Sequence, residues 1–330
     1  MRNAIKVICT ALLLSAASTT FAATASAQAT NYPTGPVELI VPFAPGGITD
    51  VIARMLAERM GTSLGVPVVV ENRPGASTAI GMQAAARSKP DGYTLVLASS
   101  TGLVINPQMM RVSYDPVEDF EPIGLVNNMT ALMLVGPDFP AQDFQGLIEL
   151  AKQKPGELSY GHWGPGSPGA LCMQMISAAA GVELNGITYQ GANPVTVDML
   201  GGHLQIGFTD PASALSSVGE GRLRPIASCA GKATAFPDVP TFADLGLDYE
   251  FYVRTVLLAP AGLDADVSAK LHAAFEQALD DPALLARLAD IGATPPSPAP
   301  SPDELKSTIK ADIAAFAQMM DSGTIKLPAQ

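Results

Sequence analysis

Three dipeptides in the second half of the chain carry the first suggestion of chemistry. Ser167-Pro168, Asn193-Pro194 and Asp210-Pro211 each place a helix-capping side chain directly before a proline. Proline is favoured at a first helical position because the N–H it lacks would have no helical partner there. Each pair follows a short apolar run or its loop. The first half offers a similar form in VELIVPFAPGGITDVIARMLAERMG (37–61), a strand, a turn with Pro42, Pro45, Gly46 and Gly47, then a helix carrying Thr49 and Asp50 in its first turn. Exposed N–H groups at such helix starts, backed by the helix dipole, attract anions. The chemistry on offer is capture of a small negatively charged molecule by main-chain amides and hydroxyls.

Enzymatic alternatives fit less well. A dinucleotide site needs G-x-G-x-x-G at the first turn and an acid ending the second strand; Glu71 meets the second demand but APGGITD fails the first. Around Ser167 the sequence GPGSPG sets Pro165 where a nucleophile elbow needs glycine. His162, His203 and His272 are the only histidines and have no metal-ligand spacing. No clustered carboxylates suggest acid–base work, and no metal or organic cofactor is implied.

The positioning elements follow from periodicity. VELIV (37–41), PVVVE (67–71) and YTLVLAS (93–99) read as strands buried on both faces of a parallel sheet. Ile48, Val51, Ile52, Met55, Leu56 and Met60 fall at helical spacing between the first two. MTALMLVG (129–136) is a strand with no helix before it, suited to a crossing between domains. A second series alternates helices at 143–153, 168–180, 194–200 and 212–219 with strands at 157–161, 186–190, 204–209 and 223–229, and YEFYVRTVLLAP (249–260) suits the return crossing. Residues 264–320 read as mostly helical, with PPSPAPSP as an extended connector. The expected fold is α/β, two doubly wound domains joined by two crossing segments with a ligand cleft between them. Their extents are 28–128 with 253–330, and 129–252. In such folds helix starts gather at the carboxyl ends of the strands, where ligands bind. No long internal repeat of fixed period is present.

The first residues, MRNAIKVICTALLLSAASTTFAATASA, have a basic start, an apolar centre and a small-residue cleavage pattern, which is the form of a secretory signal peptide ending at Ala27. Its removal takes away Arg2 and Lys6 and no acid, moving the formal charge from −12 to −14. So acidic a chain is a poor partner for nucleic acid or anionic lipid. Its positive mean hydropathy, +0.24, reflects an alanine-rich core. The two cysteines beyond the leader, Cys172 and Cys229, lie in apolar runs; the expectation is two separate buried thiols, with pairing left open.

Beyond the motifs, YPTGPVELIVPFAPGGITD, VVVENRPGAS, PDGYTL, YDPVEDFEPIG, KPGELSYGHWGPGSPG, ITYQGANP, LGGHLQIGFTD and PDVPTFADLG resemble, in order, the periplasmic solute receptors of tripartite tricarboxylate transporters, the Bug family. The resemblance implies a type II periplasmic binding protein that binds a carboxylate and delivers it to membrane permease subunits. It implies a ligand site at Phe43, Ala44, Gly46, Gly47, Thr49 and Asp50 in the first loop, and at Gly161, His162, Trp163, Gly166 and Ser167 in the second. Ser100, Thr101, Gly191, Ala192 and Asp210 would line the rest. Two departures stand out: Ala170 occupies a place where the family usually has histidine, and Tyr189-Gln190-Gly191 replaces a common Tyr-Lys-Gly.

Several of these residues have a plainer role beside the functional one. Asp50 and Asp210 read first as helix caps. Glu71, Asn72 and Arg73 read as a local network fixing the turn before Pro74. Trp163 either stacks on a flat ligand or anchors its loop. His162 either donates to a distal carboxylate or is a solvated loop residue, and Met109-Met110 and Met319-Met320 read as core filling. The reading is an exported, monomeric receptor without cofactor; a receptor that presents its ligand to a membrane sensor, or an α/β small-molecule enzyme, are the alternatives.

Overall fold

The computed structural model describes residues 31–162, 167–189, 192–233, 235–247, 252–290 and 295–325. The expected leader lies outside them. Ten strands form two five-stranded sheets among the described residues. The first is built from β1 (Val37–Val41), β2 (Val68–Asn72), β3 (Thr94–Ser99), β4 (Phe120–Met129) and β10 (Val253–Pro260), in the order β2-β1-β3-β10-β4. The second contains β5 (Leu132–Val135), β6 (Ser159–His162), β7 (Asn185–Thr188), β8 (Ile206–Thr209) and β9 (Arg224–Ser228), in the order β7-β6-β8-β5-β9.

The two sheets share one plan. In each, three strands run parallel, and the fourth in order is antiparallel to both neighbours. That antiparallel strand arrives from the other lobe: β5 enters the second sheet directly after β4, and β10 returns to the first after β9. The lobes therefore repeat in topology without any repeat in sequence. Each crossing strand is paired on both sides within a sheet of the lobe it enters.

Helices cover both faces of each sheet, as the apolar periodicity requires. On one face of the first sheet, α1 (Ile48–Leu64), α8 (Ala265–Leu279) and α9 (Pro282–Asp290) pack Ile52, Leu56, Met60, Leu271, Phe275 and Leu288 on Leu39, Leu95, Leu97 and Leu257. On the other face, α2 (Ala79–Ala86), α3 (Asn106–Met109) and α10 (Pro302–Asp321) meet Ile40, Val96, Val256 and Leu258. In the second lobe, α4 (Phe144–Gln153) and α5 (Pro168–Ala180) cover one face around Phe208 and Phe242, while α6 (Ala192–Leu200) and α7 (Pro211–Gly219) cover the other around Leu132 and Val195. Burial of a side chain of this size stabilises by about 1.5–3 kcal/mol.

The structure departs from expectation in five places. β2 is the edge strand, so its burial alternates and Val69 is half exposed instead of doubly covered. FEPIGLVNNM (120–129), not read as a strand, is the longest one, β4; Pro122, Gly124 and Asn127-Asn128 weaken its β signal. Helix α6 begins at Ala192, so Asn193 lies inside it instead of capping it. Cys172 and Cys229 form a disulfide between α5 and the end of β9, with Cα atoms 6.0 Å apart, where two separate thiols were expected. Met110 is exposed in a cavity wall instead of filling the core; Met109, also in that wall, and Met319 and Met320 pack on the core as expected.

Candidate ligand cleft between the lobes

A cavity of about 700 Å³ opens at the carboxyl ends of the parallel strands, walled by residues of both lobes. That volume is typical of a small-molecule site. The first lobe contributes Pro42, Phe43, Ala44 and Thr49 from the β1–α1 turn, Ser99, Ser100 and Thr101 from the end of β3, and Val253 and Thr255 from β10. Ser167 and Asp210 come from the second lobe, and Met129 to Ala131 from the first crossing. Among the described lining residues there is no lysine, arginine or histidine, and Asp210 is the one ionisable side chain.

The β1–α1 turn is held from behind. Gly46 has φ of +82°, a conformation that favours glycine, and its N–H donates to Asp50 Oδ2 at 2.9 Å. Asp50, almost fully buried, also accepts from Asn72 Nδ2 at 2.9 Å and from Arg54 Nε at 3.0 Å, and Asn72 Nδ2 reaches Phe43 O at 3.1 Å. The Arg54 guanidinium, helped by the Gly46 and Asn72 donors, holds the Asp50 carboxyl at about 2. Asp50 thus faces away from the cavity as the anchor of the turn, in the third position of α1 and not at its cap. Gly46 and Gly47 shape the turn and are not among the lining residues.

Three helix starts at the cavity, those of α1, α5 and α7, differ in what they leave free. At α5, Ser167 Oγ accepts from Ala170 N and Pro168 has no N–H, so only Gly169 lacks an intrahelical partner among the first three. At α7, Asp210 Oδ1 accepts from Ser213 N at 2.9 Å, leaving Ala212 in the same way. Helix α1 has no side-chain cap, and its first helical bond runs from Val51 N to Gly47 O, so Ile48, Thr49 and Asp50 all offer N–H groups. Of these three the uncapped start is that of α1, beside Thr49 in the cavity wall; α2, whose preceding residue Thr78 also lines the cavity, likewise has no side-chain cap.

The remaining sequence candidates fall variously. Ser100 lines the cavity, but its hydroxyl accepts from Arg254 N at 2.9 Å and donates to Tyr252 O at 3.2 Å, tying β3 to the return crossing. Thr101 opens a π-type turn (Thr101–Ile105) in the wall. Gly161 lies in β6 off the cavity, where a Cβ would come within 2.5 Å of Leu204. His162 is buried at the end of β6 with its ring 5.4 Å from that of Tyr160, so it is neither a solvated loop residue nor part of the wall. Ala192 is the first residue of α6; Trp163, Gly166 and Gly191 lie outside the described residues. Arg73 bridges Glu71 at 2.7 Å and Glu38 at 3.0 Å, whereas Asn72, expected in the same local network, bonds Asp50 and Phe43 O instead.

Sequence reasoning missed the wall formed by Gly75, Ser77, Thr78, Asn106, Met109 and Met110. Ala76, Ser77 and Thr78 all have positive φ, at 44°, 51° and 86°, a conformation costly for residues bearing a Cβ. Asn106 Nδ2 holds this segment through Ser77 O and Thr78 Oγ1. Three strained residues in a row leave no compositional signature, although RPGAS does read as a turn.

Two α/β lobes of one topology, a strand exchanged each way and a cavity between them define a two-lobed solute-binding protein of the type II periplasmic class. Comparison with known proteins gives the family. Residues 52–317 match the model of the tripartite tricarboxylate transporter family receptor, and the chain belongs to that family. It is 35% identical to Protein BugT of Bordetella pertussis over 309 residues, covering 92% of this chain and 94% of that one. MatC from Rhodopseudomonas palustris, solved with bound malate, is 27% identical with a TM-score of 0.72, covering 89% of this chain and 100% of that one. A second R. palustris protein, solved with adipate, is 28% identical with a TM-score of 0.74, covering 90% and 100%. The protein is accordingly a solute-binding receptor and not an enzyme.

Proposed function

We propose that the protein is an exported receptor that closes around an organic carboxylate and delivers it to the membrane subunits of a tripartite tricarboxylate-type transporter. One observation carries the reading: a cavity between the lobes, free of cationic side chains among its described lining, beside the uncapped start of α1. Burying a carboxylate costs several kcal/mol. Each hydrogen bond to the charged group returns about 1.5–3 kcal/mol. Three amides with the helix dipole are enough to offset the cost, and the negative field of the chain need not be overcome by arginine. Apolar lining from Phe43, Ile105, Met109, Met110 and Met129 suits a ligand with a hydrocarbon body. The relatives solved with malate and adipate support a carboxylate ligand class.

A thermal-shift panel of aliphatic and aromatic acids tests the ligand class. At least one carboxylate raises the melting temperature and is recovered unaltered after prolonged incubation; failure of every acid, or turnover, contradicts the reading. Loss of uptake of the same acid in a deletion strain separates delivery to a permease from presentation to a sensor.

A further inference from the structure

Three polar residues stand side by side across the first sheet at its cavity end. Thr255 on β10 is directly opposite Ser99 on β3, and on its other side directly opposite Asn127 on β4. Opposed residues of antiparallel strands project from the same face, with Cβ atoms about 4.5–5.5 Å apart. Ser99 and Thr255 therefore share a face and both line the cavity, and Asn127 stands beside Thr255 at a bulge of β4 that leaves Val126 without an opposite residue.

The row is buried and incomplete. Ser99 is 7% exposed, Thr255 4% and Asn127 0%. Yet Ser99 Oγ and both Asn127 Nδ2 and Oδ1 have no hydrogen-bond partner. Buried polar side chains are ordinarily satisfied, and an amide with both ends unmet is costly. The matching row of the second sheet is built otherwise: Thr209, Leu132 and Ser228 occupy it, so its middle is apolar. Ser228 is satisfied there by Thr130 Oγ1 at 2.9 Å and Ala230 O at 2.9 Å. Thr209 Oγ1 is also unpartnered, but it does not line the cavity.

Resting on the carboxylate reading above, we infer that Ser99 and Thr255 are specificity-determining residues for a hydroxyl group on the ligand, with Asn127 as the positioning residue behind them. A hydroxyl both donates and accepts. Between Ser99 and Thr255 it can give its proton to one oxygen and receive a proton from the other, and Thr255 can in turn bond the Asn127 amide. A carboxylate only accepts, so a second one in this place leaves an acceptor in the row unmet. The favoured ligand is a hydroxy acid, its carboxylate on the start of α1 and its hydroxyl on the row.

Titration calorimetry with matched acids tests this, using succinate against malate and 3-phenylpropionate against 3-phenyllactate. The hydroxylated member of the pair that binds does so at least tenfold more tightly. In Thr255→Val, a near-isosteric change, that preference falls below twofold, chiefly through weaker binding of the hydroxylated member. Ser99→Ala and Asn127→Leu reduce the preference in the same sense. Equal affinities within a pair overturn the inference and leave the carboxylate reading standing. Equal loss of both members in Thr255→Val also overturns it, as a structural role predicts. If no member of either pair binds, the inference falls, while the carboxylate reading is judged separately by the thermal-shift panel.

Discussion

Replacing Asp50 by asparagine removes the charge that pins the turn before α1. Its carboxylate holds Gly46 N–H, Asn72 Nδ2 and the Arg54 guanidinium, and its pKa is about 2 against the 3.8 of an unperturbed aspartate. Each pKa unit is worth 1.36 kcal/mol, so the depression corresponds to roughly 2.4 kcal/mol before screening. Arg54 is half exposed, which reduces this to about 1–2 kcal/mol. The folded pKa is depressed, so the stabilisation is present above the unfolded value near 4 and is lost as pH falls towards 2. Urea unfolding of wild type and Asp50→Asn at pH 7 and again at pH 3 and 2.5 reads the difference. We expect the variant to be less stable by about 1–2 kcal/mol at pH 7, with the gap closing as the wild-type carboxylate protonates. Because the turn borders the cavity, the affinity for the bound acid falls as well. A constant gap across this pH range, or no gap at pH 7, refutes the anchoring argument.

Other perturbations act on separate parts of the account. Gly46→Ala meets no atom within 4 Å, so its cost is conformational: about 1 kcal/mol of stability and a several-fold weaker ligand, by urea unfolding and calorimetry. Reduction of the Cys172–Cys229 disulfide, which spans 57 residues, lowers stability by about 2–4 kcal/mol in denaturant titrations, and an unchanged midpoint would argue that the thiols are unpaired. Met109→Ala removes apolar wall that a hydrocarbon body would touch and weakens acids with bulky hydrocarbon bodies by about 1 kcal/mol more than short ones, measured as a ratio of Kd values.

Much of the fold was legible because its signals are local. Ser167-Pro168 and Asp210-Pro211 announced helix starts at the right places, since a cap and a proline act within one turn. The buried strands β1 and β3 were plain from their apolar runs, whereas β2 has the same composition and lies at an edge, a property of sheet order and not of its own residues. The strand β4 was hidden by Pro122 and paired asparagines that only long-range pairing with β10 accommodates. In the site, the loops were readable but the direction of their side chains was not. Asp50 turned its charge into the protein because Asn72 and Arg54, 22 and 4 residues away, meet it there. Thr255 and Asn127 entered the picture only through register between distant strands. The strained Ala76–Thr78 segment is held by Asn106, a contact no spacing rule announces.

The most direct test is a crystal structure of the protein with its acid bound. The carboxylate should sit between the lobes with its oxygens about 2.7–3.1 Å from the N–H groups of Ile48, Thr49 or Asp50 and from hydroxyls of the cavity wall. A ligand gripped chiefly by lysine or arginine, or seated outside the cavity, would contradict the account.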